Sequence, residues 1–263
     1  MDVLNRTALG ELPHYLDAWN PKTLPPPWRR LLAAEVAPPL CAALDEAGLT
    51  PRVDHDLENF AEFHSRLDDP RWPKLAEPCH PDLNPEFGPA DTFVIYMTNP
   101  AGEAWACGVS RLRWIEGSLD EAIANQTALA DRPERLPQGQ KFGALGGAAR
   151  RIADTPIVWG SSLWAHDKAP RILVPALMRL VHLWTFAHWR WSHTVSIGQP
   201  RIADRYGLDV HGYDSVARGA RRTAPDGATT EYRLMIAGRD RIRTLVADPG
   251  FVDLSRDLSA LGC

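Results

Sequence analysis

Residues 155–207, TPIVWGSSLWAHDKAPRILVPALMRLVHLWTFAHWRWSHTVSIGQPRIADRYG, change their hydrophobic period three times. Pro156 to Ala165 is a short apolar run of β-branched and aromatic side chains (Ile157, Val158, Trp159, Leu163, Trp164), which predicts a buried strand. His166 to Pro170 is a polar break. From Arg171 the period is helical: Leu173, Ala176, Leu177, Leu180, Trp184 and Ala187 share one face, with Arg171, Arg179, His182 and Arg190 roughly opposite. Pro175 falls in the first turn, where a missing N–H costs least. After His193 the alternation returns through Val195 and Ile197, and Gly198 with Pro200 stops it. Strand, loop, helix, strand predicts a crossover that lays the helix over a sheet, its N-terminus at the carboxyl end of the first strand. An anion would meet unpaired N–H groups there, with Lys168 and Arg171 beside them. A plain structural crossover with solvated basic residues fits the same pattern equally well.

Working outward, Asp91 to Trp114 predicts a hairpin: Phe93 to Tyr96 in one strand, Asn99-Pro100-Ala101-Gly102 in the turn, and Ala104 to Trp114 returning. Leu119 to Ala130 reads as helix, and Asp131 to Ala149 as a glycine-containing connection able to fold over a ligand. Toward the N-terminus, Trp28 to Leu32 and Ala33 to Ala47 read as helices, the second broken by Pro38-Pro39, and Pro25-Pro26-Pro27 as a stiff extended connector. Residues 51–66 predict a helix capped by Asp54 or Asp56, with Leu57, Phe60 and Phe63 on one face. Asp68 to Ala90, with six prolines, predicts a loop over the surface. Beyond Gly207, Leu208 to Val216 alternates, a polar arm carrying Arg218, Arg221 and Arg222 follows, and Tyr232 to Ala237 completes a long-armed hairpin. Leu245, Phe251 and Leu254 have helical spacing.

The 263 residues suffice for one large domain or two small ones, and 44% hydrophobic with 24% charged residues is the balance of a soluble globular chain. The first residues show no basic-then-apolar segment, so no signal peptide is expected. Ile172 to Trp189 is interrupted by Arg179, His182 and His188, so no membrane span is expected and a cytoplasmic location is the default. Cys41, Cys79, Cys107 and Cys263 lack metal-site spacing, so neither a zinc site nor a disulfide framework is expected. The net charge of −4 is uneven: Arg150 to Arg243 holds 15 Lys plus Arg against 8 Asp plus Glu. That basic half favours an anionic ligand or an acidic partner surface. It carries no helix-turn-helix or stacking pattern, so nucleic-acid binding ranks last.

The order helices, hairpin, strand, helix, strand, short helix, hairpin resembles the GNAT superfamily of acyltransferases. The likeness is strongest to acyl-homoserine-lactone synthases and long-chain N-acyl amino acid synthases. It covers residues 91–240 and rests on GVSRL (Gly108 to Leu112), WGSSLWAH (Trp159 to His166) and the helix that follows. It implies an α/β (α+β) three-layer fold with a mixed central sheet and flanking helices, residues 91–263 forming the core and a helical, proline-rich region 1–90 packed on it. It also implies N-acyl transfer from acyl-CoA or an acyl-carrier protein to a small amine, with no tightly bound cofactor. Under the resemblance, Trp159, Ser161, Ser162, Leu163, Trp164 and Ala165 line the donor's pantetheine arm, while Lys168, Arg171 and Val174 hold its pyrophosphate. Arg111 matches the family arginine that anchors the chain or the acceptor carboxylate, and a structural ion pair is the alternative. His166, at the end of the central strand, is the first choice for general base; Glu103, in the hairpin turn, is the second. The loop from His166 to Ala176 has no glycine, and Gly160, Leu163 and Ala203 stand where relatives carry functional side chains. The alternative is therefore a catalytically degenerate member that binds an acyl thioester or a partner as sensor or scaffold.

Overall fold

The computed structural model describes residues 9, 12–21, 24–67, 75–86, 88–143, 145–206, 208 and 211–254. Its centre is the expected crossover. Strand β5 (Ala153–Ala165) leads into helix α6 (Leu173–His188), and the chain returns as β6 (His193–Gly198) and the short α7 (Pro200–Tyr206). The expected hairpin is β2 (Thr92–Thr98) and β3 (Ala104–Ser118), and the second is β7 (Ser215–Thr223) and β8 (Thr229–Gly238). With β1 (Thr50–Asp54) and β4 (Lys141–Phe142) they form one sheet of eight strands in the order β1-β2-β3-β5-β6-β8-β7-β4. The β5–β6 pair is parallel and every other pair is antiparallel. This is the mixed central sheet with flanking helices that the sequence implied.

One face carries α6, the N-terminal helices α1 (Pro26–Leu31) and α2 (Ala37–Glu46), and α8 (Arg239–Ala247). The other carries α3 (Leu57–Ser65), whose Leu57, Phe60 and Phe63 pack on Val94, Tyr96 and Cys107. Beside it lies α4 (Leu119–Ala124), packed on Ile157, Trp159 and Val195. Region 1–90 thus supplies an outer strand to the sheet and shares a core with α6: Tyr15 Oη donates to the Leu180 carbonyl at 3.0 Å, and its ring lies edge-on to Trp184 at 5.2 Å.

Because these N-terminal residues cover the outer side of α6, the helix is buried almost all round. His182, expected opposite the apolar face, is 3% exposed. Its Nε2 lies 2.6 Å from the His211 carbonyl oxygen, and burial brings its pKa down to about 4.

Several N-terminal expectations give way to longer-range contacts. Pro26 and Pro27 are not in a connector but in the first turn of α1, where their missing N–H groups are not needed. Pro38-Pro39 does not break the following helix. The chain widens into a π turn at Leu32–Val36, with the Ala37 N–H reaching Leu32 O, because the prolines offer no N–H to the carbonyls of Ala34 and Glu35 and would crowd them. The start of the helix expected over 51–66 is β1 instead, an outer strand in which Pro51 is tolerated. Asp56 is the N-cap of α3 and accepts from Glu58 N at 2.8 Å and Asn59 N at 3.2 Å. Asp56→Ala should cost about 1 kcal/mol of stability, read as a lower denaturant midpoint at unchanged slope.

Leu119 to Ala130 holds only the six-residue α4, followed by turns. The connection after it carries β4 and α5 (Gly147–Arg150). The polar arm with Arg218, Arg221 and Arg222 is itself strand, and the strand expected from Leu208 begins only at Ser215, with residues 207, 209 and 210 outside the described residues. Residues 68–74 and 87 of the proline-rich loop and 255–263 of the tail also lie outside them. The described part of that loop is exposed at residues 82, 85, 86, 89 and 90, as expected, but it also turns inward, with Cys79 and Asn84 buried.

Candidate active site

Strands β5 and β6 pair from Ile157↔His193 to Gly160↔Ser196 and then part. β5 continues through Ser161–Ala165 against β3 alone. The parting has a local cause. Cys107 pairs with Trp164 and Val109 with Ser161, so Ser162 and Leu163 together face the single residue Gly108. This is a β-bulge, which bends the strand that carries it. Ser162 takes up the bend at φ +49°, a conformation unusual outside glycine. Gly108 faces Leu177 of α6: a Cβ there would lie 3.6 Å from Leu177 Cδ2, an ordinary contact.

The vertex of the opening is Gly160. Tyr213 Oη lies 3.6 Å from where a Gly160 Cβ would be, near the hydroxyls of Ser196 and Thr194. Burial pushes its pKa up to about 12, against the pull of those two hydroxyls. Gly160, Ser161, Ser162, Leu163, Ser196, Ile197 and Gly198 are all half-buried although they lie in mid-sheet.

Leu163 and Ala165 face the α6 side of the sheet. Trp159 and Trp164 point the other way into packed core; Trp159 is still paired with Val195 of β6, and Trp164 lies past the parting, so of the two only the Trp164 backbone lines the opening. Trp184, Trp189 and Trp191 are core as well. At the end of β5, His166 N donates to the Trp105 carbonyl at 2.8 Å. His166 Nδ1 accepts from the Lys168 N–H at 3.0 Å. That bond favours the tautomer with its proton on Nε2. Lys168 and Arg171 are exposed, Val174 is half-buried in the first turn of α6, and no side chain caps that helix. Glu103 Oε2 accepts from Asn99 Nδ2 at 2.9 Å, within the β2–β3 turn.

On the opposite face a short 3₁₀ turn, Glu77–Cys79, lies against β3 and β5. Ala76 N donates to Ser162 Oγ at 3.3 Å, and the buried Cys79 thiol meets the hydroxyls of Ser161 and Ser162. Burial pushes that thiol up to about 11. Burial also raises Cys107, so both stay protonated and unreactive at neutral pH.

Arg111 is 5% exposed. Its Nη1 donates to Asn84 Oδ1 and its Nη2 to Asp131 Oδ2, each at 2.7 Å. Arg113 Nη2 holds the other Asp131 oxygen at 3.0 Å. Of the two readings open for Arg111, these contacts are those of the structural ion pair.

The structure thus brings Ser161, Ser162, Leu163, Ala165, His166 and the start of α6 to one opening. Arg111 lies behind it in a buried cluster, and Glu103 is held in its own turn. Sequence reading named Arg222 only as part of a polar arm, and did not single out Tyr213, Asn84, Asp131, Glu77 or Gln140. Only the bulge had a local signal, the Gly108 that stands opposite Ser162.

No family model matches the chain, and no curated protein matches it. Among solved structures, FeeM, an N-acyl amino acid synthase from uncultured soil microbes, is similar at 12% identity over 84% of this chain and 90% of its own, with a TM-score of 0.38. The aminoglycoside acetyltransferase AAC(6')-Ib with coenzyme A and kanamycin gives 14% identity over 74% of this chain and 98% of its own, also with a TM-score of 0.38. The same enzyme with ribostamycin and coenzyme A gives 11% identity over 74% and 96%, with a TM-score of 0.41. At that distance the functional reading has to come from this chain's own residues. They define an α/β protein whose mixed sheet is opened at its parallel pair. No helix among the described residues is long and apolar enough to cross a membrane.

Proposed function

We propose that this protein is an N-acyltransferase that moves an acyl group from an acyl thioester, acyl-CoA or acyl-carrier protein, to a small amine such as an amino acid. The observation that carries the reading is the parting of β5 from β6 after Gly160↔Ser196. Among the described residues it leaves the strand from Ser161 to Ala165 without a paired strand on its β6 side. An extended amide-bearing arm can hydrogen-bond there as a strand would. Backbone N–H groups around Leu163 to Ala165 then meet the oxyanion that develops on the thioester carbonyl, with His166 Nε2–H as a further donor. Lys168, Arg171 and the first turn of α6 offer positive potential to a phosphate-bearing donor. Arg111 acts by holding β3 in place rather than by touching substrate.

Thiol release from acyl-CoA, followed with and without a pool of amines, tests the reading: release should require an amine. Gly160→Leu, which puts side-chain bulk into the vertex, should lower the rate by about 100-fold while the near-UV spectrum keeps its form. Amine-independent binding of acyl-CoA with no turnover would favour the sensor or scaffold instead.

A further inference from the structure

Helix α6 stops short of the sheet it covers. The central strands run on past its last turn, and one rung crosses them there. Trp114 of β3 pairs with Pro156 of β5, whose carbonyl accepts from the Ser192 N–H at 2.9 Å, and the Ser192 carbonyl accepts from the Arg239 N–H at 2.9 Å. Trp114, Pro156 and Arg239 each stand two residues from a position in the core on the α6 side (Leu112, Val158 and Ala237), so strand alternation puts them on that same side. Beyond the helix end, Trp114 is 59% exposed, more than any other large apolar side chain among the described residues.

Arginines gather at this end. Arg239 lies over the rings of Phe186 (4.6 Å) and Trp191 (5.0 Å) and donates to the Phe186 and Trp189 carbonyls at 3.0 Å. Burial lowers its pKa, and so does the charge of Arg190, which is exposed between α6 and β6. Trp28 lies edge-on to Phe186 at 5.3 Å and is followed in α1 by Arg29 and Arg30, both exposed. Arg29, Arg30 and Arg190 have no carboxylate partner among the described residues. The carboxylates nearest along the chain are the exposed Glu116 and Asp240, and Arg243 holds Asp240 at 3.2 Å.

An end of this charge suits an anionic partner. A protein partner would need an apolar centre to desolvate, but Trp28, Phe186 and Trp191 already pack together with Arg239, which leaves one indole. A bilayer needs no pocket: an indole settles at headgroup level while guanidinium groups face the phosphates. The geometry points to this end of the protein, Trp114 with Arg29, Arg30, Arg190 and Arg239, as the surface by which it lies on an anionic membrane. Helix α6 has 16 residues, so the opening at its N-terminus stands about 24 Å away and stays clear of the lipid. This surface does not depend on acyl transfer.

Co-sedimentation of the full chain with phosphatidylcholine vesicles, with and without about one third phosphatidylserine, tests it. Binding should require phosphatidylserine and weaken as salt rises above about 0.15 M. Each arginine near an anionic surface is worth about fivefold, so Arg190→Gln should weaken partition about fivefold, and Arg29→Gln combined with Arg30→Gln about 25-fold. Arg218 is exposed in the bulge of β7. Arg218→Gln should leave partition within about twofold. Lipid brominated near the headgroup should quench part of the tryptophan emission, and Trp114→Phe should remove that part; the near-UV spectrum of each variant checks that it is folded. Wild-type protein that stays off the phosphatidylserine vesicles overturns the inference. So does a loss in Arg218→Gln equal to that in Arg190→Gln, or polyglutamate or single-stranded DNA bound as tightly as the vesicles.

Discussion

Acidification from pH 6.5 to 4 should unfold this protein well before its exposed carboxylates are fully titrated. Burial lowers His182, His188 and His211 from 6.5 to about 4, and in His188 and His182 the ring's bond to a backbone carbonyl only partly offsets it. His188 is fixed in its neutral form: Nδ1 donates to the Trp184 carbonyl at 3.0 Å, and Nε2 accepts from the Asn20 N–H at 3.0 Å. It also stacks on Trp184 at 4.1 Å. All three folded pKa values are depressed, so below pH 6.5 the unfolded chain binds protons that the folded chain refuses. Stability is therefore full above 6.5, falls as pH drops, and stops falling near 4, where the folded rings titrate too. Each ring is worth on the order of 3 kcal/mol over that window. Three together rival the whole stability of an ordinary domain. Tryptophan fluorescence and far-UV circular dichroism against pH should show a cooperative transition between pH 4 and 6.5, moved to lower pH by His188→Gln. A signal flat to pH 4 would count against these burials.

Asp131→Ala should be more destabilising than removal of either arginine it holds. The Asp131 carboxylate is 25% exposed, whereas the side chains of Arg111 and Arg113 are 6% and 11% exposed. Burial, and then repulsion from Arg111, lower Arg113 to about 10. Removing the shared carboxylate leaves two adjacent guanidinium groups without it, at a cost of about 3–5 kcal/mol. Arg111→Met removes one of the two competing cations and leaves Arg113 paired, so its cost should be smaller. Thermal or denaturant melts of the two variants decide the order. The reverse order would mean that Arg111 has a larger structural role than the ion pair gives it.

The residues that made the fold legible were those whose partners are near in sequence. The crossover at 155–207, the 91–114 hairpin and the Asp56 cap follow from period, turn chemistry and side-chain type over a few residues. What stayed hidden depends on groups far along the chain. His182 reads as polar and outward until residues 211–213 close over it. Pro51 argues against a strand unless that strand is known to be an outer one. Asn84 and Glu77 sit in a proline-rich stretch whose pattern predicts only a loop, yet Asn84 meets β3 and Asp131, while Glu77 meets Gln140 and β7. The site was half legible for the same reason. The side of the opening built by β5 and α6 is contiguous, whereas its other side is assembled from three distant segments.

Past Gly160, β5 keeps backbone groups that no neighbouring strand uses, and exposed groups of that kind usually invite other chains to add on and aggregate. Here they lie inside the sheet, with α6 on one side and the Glu77–Cys79 turn on the other. The fold keeps a pairing surface in permanent readiness without becoming a template for its own precipitation.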